Sequence, residues 1–265
     1  MSRMQTILDK AERDGAVLRI RTLPGQDPVD VPADTAVSDD MAATAPLHTP
    51  IRSATPRRLD RALVAVGAPD AAAARQYRGL CTRIVHADQG TPVKVIMVTS
   101  PGGNDGKSVT AANLALTMAR EYQRPTCLVD ANLRSPRLQQ MFGLPDGPGL
   151  VDVLAGRATL DQVLTRIEPS GVTVLTAGAG AEHPAELLST PMMRRTLDNL
   201  RAQFDRIIID TPAALPMVDI GLLEPLADRI VLVVRAGVTS KASIADALGA
   251  IDASRLLGVV LNEAA

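Results

Sequence analysis

At 265 residues, 46% hydrophobic and 22% charged, the chain is long enough to bury one sizeable core with an appendage beside it. A formal charge of -1 excludes a general electrostatic attraction to nucleic acid or to an anionic membrane, and 2% aromatic content without Trp excludes a base-stacking surface. Cys81 and Cys127 sit in apolar patterns and make neither a disulfide framework nor a metal-ligand spacing, MSRMQTILDK holds no apolar signal core, and no stretch reaches the roughly 20 apolar residues of a membrane span. The expectation is a cytoplasmic protein that binds no nucleic acid and reaches a membrane only through a partner.

Taken from the N-terminus, Met4, Ile7, Leu8 and Ala11 recur at helical spacing and predict a short amphipathic helix over 3–14. From Leu23 to Pro56 the chain is dense in Pro, Asp, Ala and Thr without a sustained period, the composition of a flexible linker. Residues 1–56 are therefore read as helix and linker, and 57–265 as the folded domain. Asp70 to His86 places Tyr77, Leu80, Cys81, Ile84 and Val85 on one face of a helix, away from Arg75, Arg78 and Thr82.

Short β-branched runs follow at Val93–Val98, Thr126–Val129, Val172–Thr176, Ile207–Ile209, Ile230–Val234 and Val259–Leu261. They are continuous rather than alternating, the pattern of strands buried on both faces, and helical patterns separate them at Lys107–Tyr122, Pro191–Phe204 and Ser240–Ser254. The predicted fold is α/β, a doubly wound, mostly parallel sheet.

Between the first of these strands and its helix lies TSPGGNDGKSV. Small residues let the backbone N–H groups of Gly102, Gly103, Asn104, Asp105, Gly106, Lys107, Ser108 and Val109 turn in around phosphates. Lys107 would reach the β- and γ-phosphates, Ser108 would ligate Mg2+, and the helix N-terminus adds partial positive charge. Pro101 stands where the G-x-x-x-x-G-K-[ST] pattern has its first glycine. Two further strand ends carry acids: Asp130 closes LVD and Asp210 closes IIID. Ligands of open α/β sheets sit at the carboxyl ends of strands, where both acids and the loop fall. Asp210 is assigned to the metal, and Asp130 to the metal and to orienting or deprotonating a nucleophile. The ligand expected is ATP/ADP with Mg2+ on a P-loop NTPase, with Lys107, Asp130 and Asp210 as the catalytic set.

The blocks TSPGGNDGKSVTAANLA, LVDANLRSP, GLVDVLAG, VTVLTAGAGAEHPAELLSTPMM, FDRIIIDTP and ADRIVLVVRAG…LLGVVLN resemble, in order and spacing, the bacterial tyrosine autokinases and ATPases of capsule and exopolysaccharide synthesis, over about Leu63 to Asn262. The opening MSRMQTILDKAE resembles the branch associated with exosortase and exopolysaccharide loci. The resemblance implies nucleotide binding by Gly106, Lys107 and Ser108 and acidic roles for Asp130 and Asp210. It also implies a transmembrane polysaccharide co-polymerase or chain-length protein as partner, assembly of copies into a homo-oligomer, and a place at the inner face of the cell membrane.

The chain departs from that family in three places. Asn132 replaces the second acid of D-x-D-L-R-x-P, Arg75, Arg78 and Cys81 stand where the assembly helix has E-x-x-R-x-x-R, and LNEAA265 holds none of the family's phosphoacceptor tyrosines. Tyr77 and Tyr122 are the two tyrosines, so an ATP-binding, slowly hydrolysing regulator is expected rather than an efficient autokinase. One rival reading is a partition or septum-site ATPase, which carries an extra lysine where this chain has Gly102 and, in membrane-attached members, a basic helix after the position of Leu261. Another is a non-enzymatic scaffold. His183, Arg134, Arg137, Met192 and Met193 are read as turn, solvated helix start and packing.

Overall fold

Strands such as VIMVT and RIIID have no polar alternation, so the sheet they build needs cover on both faces. The computed structural model describes residues 17–22, 29–30, 51–56, 58–88, 92–215 and 218–264. The helix expected over 3–14 lies outside them, as does most of the stretch read as linker.

In chain order the elements are β1 (Val17–Thr22), β2 (Val29–Asp30), β3 (Arg52–Ala54), β4 (Arg58–Leu59), α1 (Val64–Gly67), α2 (Ala72–Ala87), β5 (Val95–Thr99), α3 (Lys107–Glu121), β6 (Thr126–Asp130) and α4 (Leu138–Met141). Then come α5 (Leu150–Leu154), α6 (Leu160–Val163), β7 (Thr165–Ile167), β8 (Val172–Leu175), α7 (Pro184–Leu188), α8 (Pro191–Gln203) and β9 (Arg206–Asp210). The rest are α9 (Val218–Leu223), a 3-10 turn (Glu224–Leu226), β10 (Arg229–Arg235), α10 (Lys241–Ala250) and β11 (Leu256–Ala264).

Among the described residues nine strands form one sheet in the order β1-β11-β10-β5-β9-β6-β8-β7-β3, parallel throughout except at β7–β8, and β2 pairs with β4 apart from it. Successive residues of the central strands feed opposite cores. Val95, Met97, Val129, Ile207 and Ile209 pack with α5, α8 and α9, whereas Ile96, Val98, Leu128 and Ile208 pack with α1, α2, α3 and α4. Each fully buried Val, Ile or Leu is worth about 1.5–3 kcal/mol relative to exposure, and two such cores account for a sheet without a solvent face. The predicted face of α2 is the buried one, with Tyr77, Leu80, Cys81 and Ile84 inside.

The boundary at residue 57 does not mark the start of the sheet. Strand β1 adds to one edge beside β11 and β3 to the other beside β7, both from ahead of residue 57. An edge strand pairs on one side only, so it needs no continuous apolar run. The signal in β1 is instead the alternation Leu18-Arg19-Ile20-Arg21.

Candidate functional site

The sheet brings three strand ends together. Strands β5, β9 and β6 are neighbours, with Val98 opposite Asp210 and Asp210 opposite Asp130 in register, so both acids stand one residue short of the level at which β5 gives way to the loop. That loop, Ser100 to Gly106, turns on two left-handed residues, Asn104 at φ 64° and Gly106 at φ 96°. At Gly106 a side chain is excluded twice over: the backbone conformation disfavours a Cβ, and the Asn262 amide occupies its place, 2.1 Å from an ideal Cβ position. Helix α3 begins at the next residue, so the N–H groups of its first turn have no partner within the helix and face the loop's mouth.

Side chains brace this loop from behind. Asp105 accepts from the Gly102 N–H through Oδ2 (2.9 Å) and from the Thr239 hydroxyl through Oδ1 (2.8 Å). The Asp105 carbonyl accepts from Asn262 Nδ2 at 3.0 Å. The Ser100 hydroxyl donates to the Gly102 carbonyl, and the Ser100 carbonyl accepts from the Ala214 N–H, tying the loop to the segment after β9.

In front lies a cavity of about 850 Å3. Of the residues assigned to phosphate, Gly103, Asn104, Gly106, Lys107, Ser108 and Val109 line it, while Gly102 and Asp105 sit behind it in the bracing network. Lys107 and Ser108 are nearly buried despite their polarity, and Asn132, Arg134, Arg137 and Pro212 form the opposite wall.

Asp130 and Asp210 are wholly buried beneath this cavity and differ in how they are satisfied. Asp130 accepts from the backbone N–H of Asn132 (3.2 Å), Arg137 (3.1 Å) and Leu138 (3.1 Å), so it holds the loop that leads into α4. Among the described residues Asp210 has no hydrogen-bond partner on either carboxylate oxygen. Burial pushes both carboxyls up, to about 6 for Asp130, where the backbone donors and then Lys107 pull the other way, and to about 8 for Asp210. The charge of Asp130 adds to the effect on Asp210, against smaller opposing contributions from Ser108 and Lys107. A buried carboxylate without donors, beside a serine hydroxyl and under a phosphate loop, fits a divalent cation, which would return the acid to its ionised form. Among the described residues no group of three or more His, Cys, Asp or Glu could hold a metal by itself, so phosphate oxygens and water would complete the shell.

Three contributors carried no assignment in the sequence. Asn262 follows the apolar run Val259–Leu261 as Asp130 and Asp210 follow theirs, so the same sequence signal was present for it; Thr239 and Asp219 had none. Arg134, read as part of a solvated helix start, is instead bidentate to the buried Asp219 (2.6 and 3.1 Å). That ion pair joins the loop after β6 to the first turn of α9.

With this geometry in hand, comparison with known proteins is direct. Residues 92–262 match the family described as ParA, NUBPL iron-transfer P-loop NTPase. Tyrosine-protein kinase YwqD of Bacillus subtilis is 35% identical over 207 residues, 77% of this chain and 87% of that protein. Succinoglycan biosynthesis transport protein ExoP of Rhizobium meliloti is 34% identical over 78% of this chain, but the chain spans only 27% of its length. The kinase domain of Escherichia coli tyrosine kinase ETK superposes with a TM-score of 0.73 at 26% identity, covering 76% of this chain and 80% of that one. The septum site-determining protein MinD of Pyrococcus horikoshii, solved with Mg-ADP, gives a TM-score of 0.52 at 25% identity, covering 64% and 71%. Both cysteines are buried, in α2 and β6, so no exposed thiol pair accompanies the family match. The phosphate loop, the two strand-end acids and these matches together make the chain a member of the ParA-type P-loop NTPases and, within them, of the family of bacterial tyrosine-protein kinases.

Proposed function

We propose that the chain binds ATP with Mg2+, hydrolyses it slowly, and through that cycle regulates exopolysaccharide or capsule synthesis and export. The observation that carries this reading is the Asp210 carboxylate, wholly buried, without a hydrogen-bond partner among the described residues, and close enough to Ser108 and Lys107 for both to act on it. Lys107 pairs with the β- and γ-phosphates, the first turn of α3 donates its free N–H groups, and Ser108 and Asp210 hold the cation. The cation supplies positive charge against the phosphates. Slow turnover follows from the two positions at and after the end of β6: Asp130 is committed to three backbone donors, and Asn132 cannot accept a proton.

Relatives such as ExoP support the polysaccharide context, and a transmembrane co-polymerase is the partner this reading requires. No helix among the described residues is long and apolar enough to cross a membrane, so attachment at the inner face would run through that partner. MinD, a solved structure of the septum-site class, superposes less well than ETK, and Gly102 stands where that class has a lysine.

Calorimetry of ATP binding, with phosphate release on the same protein, tests the site. Lys107→Ala is expected to weaken ATP at least tenfold, because a charge-assisted contact is worth roughly 1.5–3 kcal/mol. Equal affinity in the variant would remove Lys107 from the site, and tight binding without turnover would leave a nucleotide-dependent scaffold.

A further inference from the structure

Near the end of strand β11 stands Asn262, whose side chain is nearly buried against the phosphate loop and 157 residues from Asp105 in sequence. A carbonyl oxygen can only accept, so the atom facing the Asp105 carbonyl is the amide nitrogen, and the orientation of the amide follows from chemistry. The other amide atom, Oδ1, is buried without a partner among the described residues. The same side chain fills the volume a Cβ would need at Gly106. Asn262 therefore touches the last two residues of the loop before helix α3 begins. The peptide it grips, Asp105 to Gly106, is the one whose orientation sets where the following N–H groups point.

We infer that Asn262 is a positioning residue of the nucleotide site: its Nδ2 holds the Asp105–Gly106 peptide so that the loop is already shaped for phosphate before the ligand arrives. Thr239 completes the grip from the other side, donating its hydroxyl to Asp105 Oδ1 while accepting from the Arg235 N–H at 2.9 Å. The loop is thus referenced to β11 and to the turn that follows β10, on the side of β5 away from the two acids. A loop held in its bound shape loses less conformational freedom on binding, and that difference appears as affinity. The inference rests on the nucleotide reading above and adds to it a residue that touches neither phosphate nor cation.

The substitution Asn262→Asp separates a donor from a shape. Its carboxyl has nearly the size of the amide, so the packing against Gly106 is kept. Ionised, it presents only acceptors to the Asp105 carbonyl; protonated, it donates again. Charged neighbours are Asp105 in the loop and Arg235, its register partner on β10. The measurement is the affinity of Mg-ADP for the variant divided by that of wild type at each pH, which cancels the titration of Asp130, Asp210 and the nucleotide. About a tenfold loss is expected at pH 8, the worth of one neutral hydrogen bond, shrinking toward no loss at pH 5.5. A ratio near one at pH 8, or the same loss at both pH values, overturns the inference. Failure of wild type itself to bind Mg-ADP would instead overturn the nucleotide reading. Should Asn262→Asp not fold, Thr239→Val removes the second hold at a half-exposed position: several-fold weaker binding supports the inference, and unchanged affinity overturns it.

Discussion

Two carboxyls face each other on neighbouring strands, and the burial that brings Asp130 and Asp210 together acts on them unequally. Three backbone donors compensate Asp130, while Asp210 has none, so Asp210 is the stronger proton holder of the two. An unfolded carboxyl releases its proton near pH 4, whereas in the ligand-free fold Asp130 holds its proton to about 6 and Asp210 to about 8. Across that window the folded state binds more protons than the unfolded one, and stability falls as pH rises through it. The thermal midpoint of the ligand-free protein is therefore expected to decline between pH 6 and pH 8, and Asp210→Asn to flatten the decline. An equal slope in that variant would assign the proton to another group. Both acids were legible in the sequence because each ends an apolar strand. Their different fates were not, since the donors to Asp130 come from Asn132, Arg137 and Leu138, backbone groups of the loop after β6 and the start of α4 that any residue type would supply.

At the scale of elements, the edges of the sheet depart furthest from what periodicity alone conveys. The central strands announce themselves as apolar runs, but β3 and β7 are three residues each and carry no readable period. Strand β1 lies parallel to β11, with Ile20 opposite Asn262, so it flanks the strand that grips the phosphate loop. Removing residues 1–56 strips β1 and β3 and leaves β11 and β7 as bare edges. Cooperative unfolding should survive, because both cores are built from strands and helices that follow residue 57. The midpoint is expected to fall by about 2–8 °C, the shift that 1–2 kcal/mol produces in a domain of this size. A midpoint within 1 °C of the full chain, by differential scanning calorimetry, would mean the edges add nothing.

For the whole molecule, the question is whether a tyrosine of one copy can reach the nucleotide of another. Tyr77 is fully buried in α2, and burial pushes its phenol far above the ordinary range. Exposing it requires opening the core between α2 and α3. Tyr122 is half-buried, its hydroxyl paired with Thr82 Oγ1 at 2.7 Å, and it follows a helix of 15 residues, about 22 Å from the phosphate loop at its other end. Arg78, the remaining arginine of the assembly pattern, is spent within the chain on Glu121 and the Pro69 carbonyl. Purified protein of this sequence, incubated with ATP and Mg2+, is therefore expected to show little or no phosphotyrosine. Stoichiometric labelling of Tyr77 or Tyr122 by phosphopeptide mass spectrometry, absent in Lys107→Ala, would restore an autokinase of this chain alone.

What the sequence determined by itself is local and contiguous: continuous apolar runs that must be covered twice, a small-residue loop between strand and helix, and acids where strands stop. Those features follow from bonding and burial within a few residues, so they can be read without knowing the partners. Only the tertiary structure decided what stands behind the loop. Thr239 and Asn262 reach Asp105 across 134 and 157 residues, and Arg134 meets Asp219 across 85. Such pairs leave no periodic mark, because either member is an ordinary polar residue until the parallel sheet sets its strands in order and brings the two together.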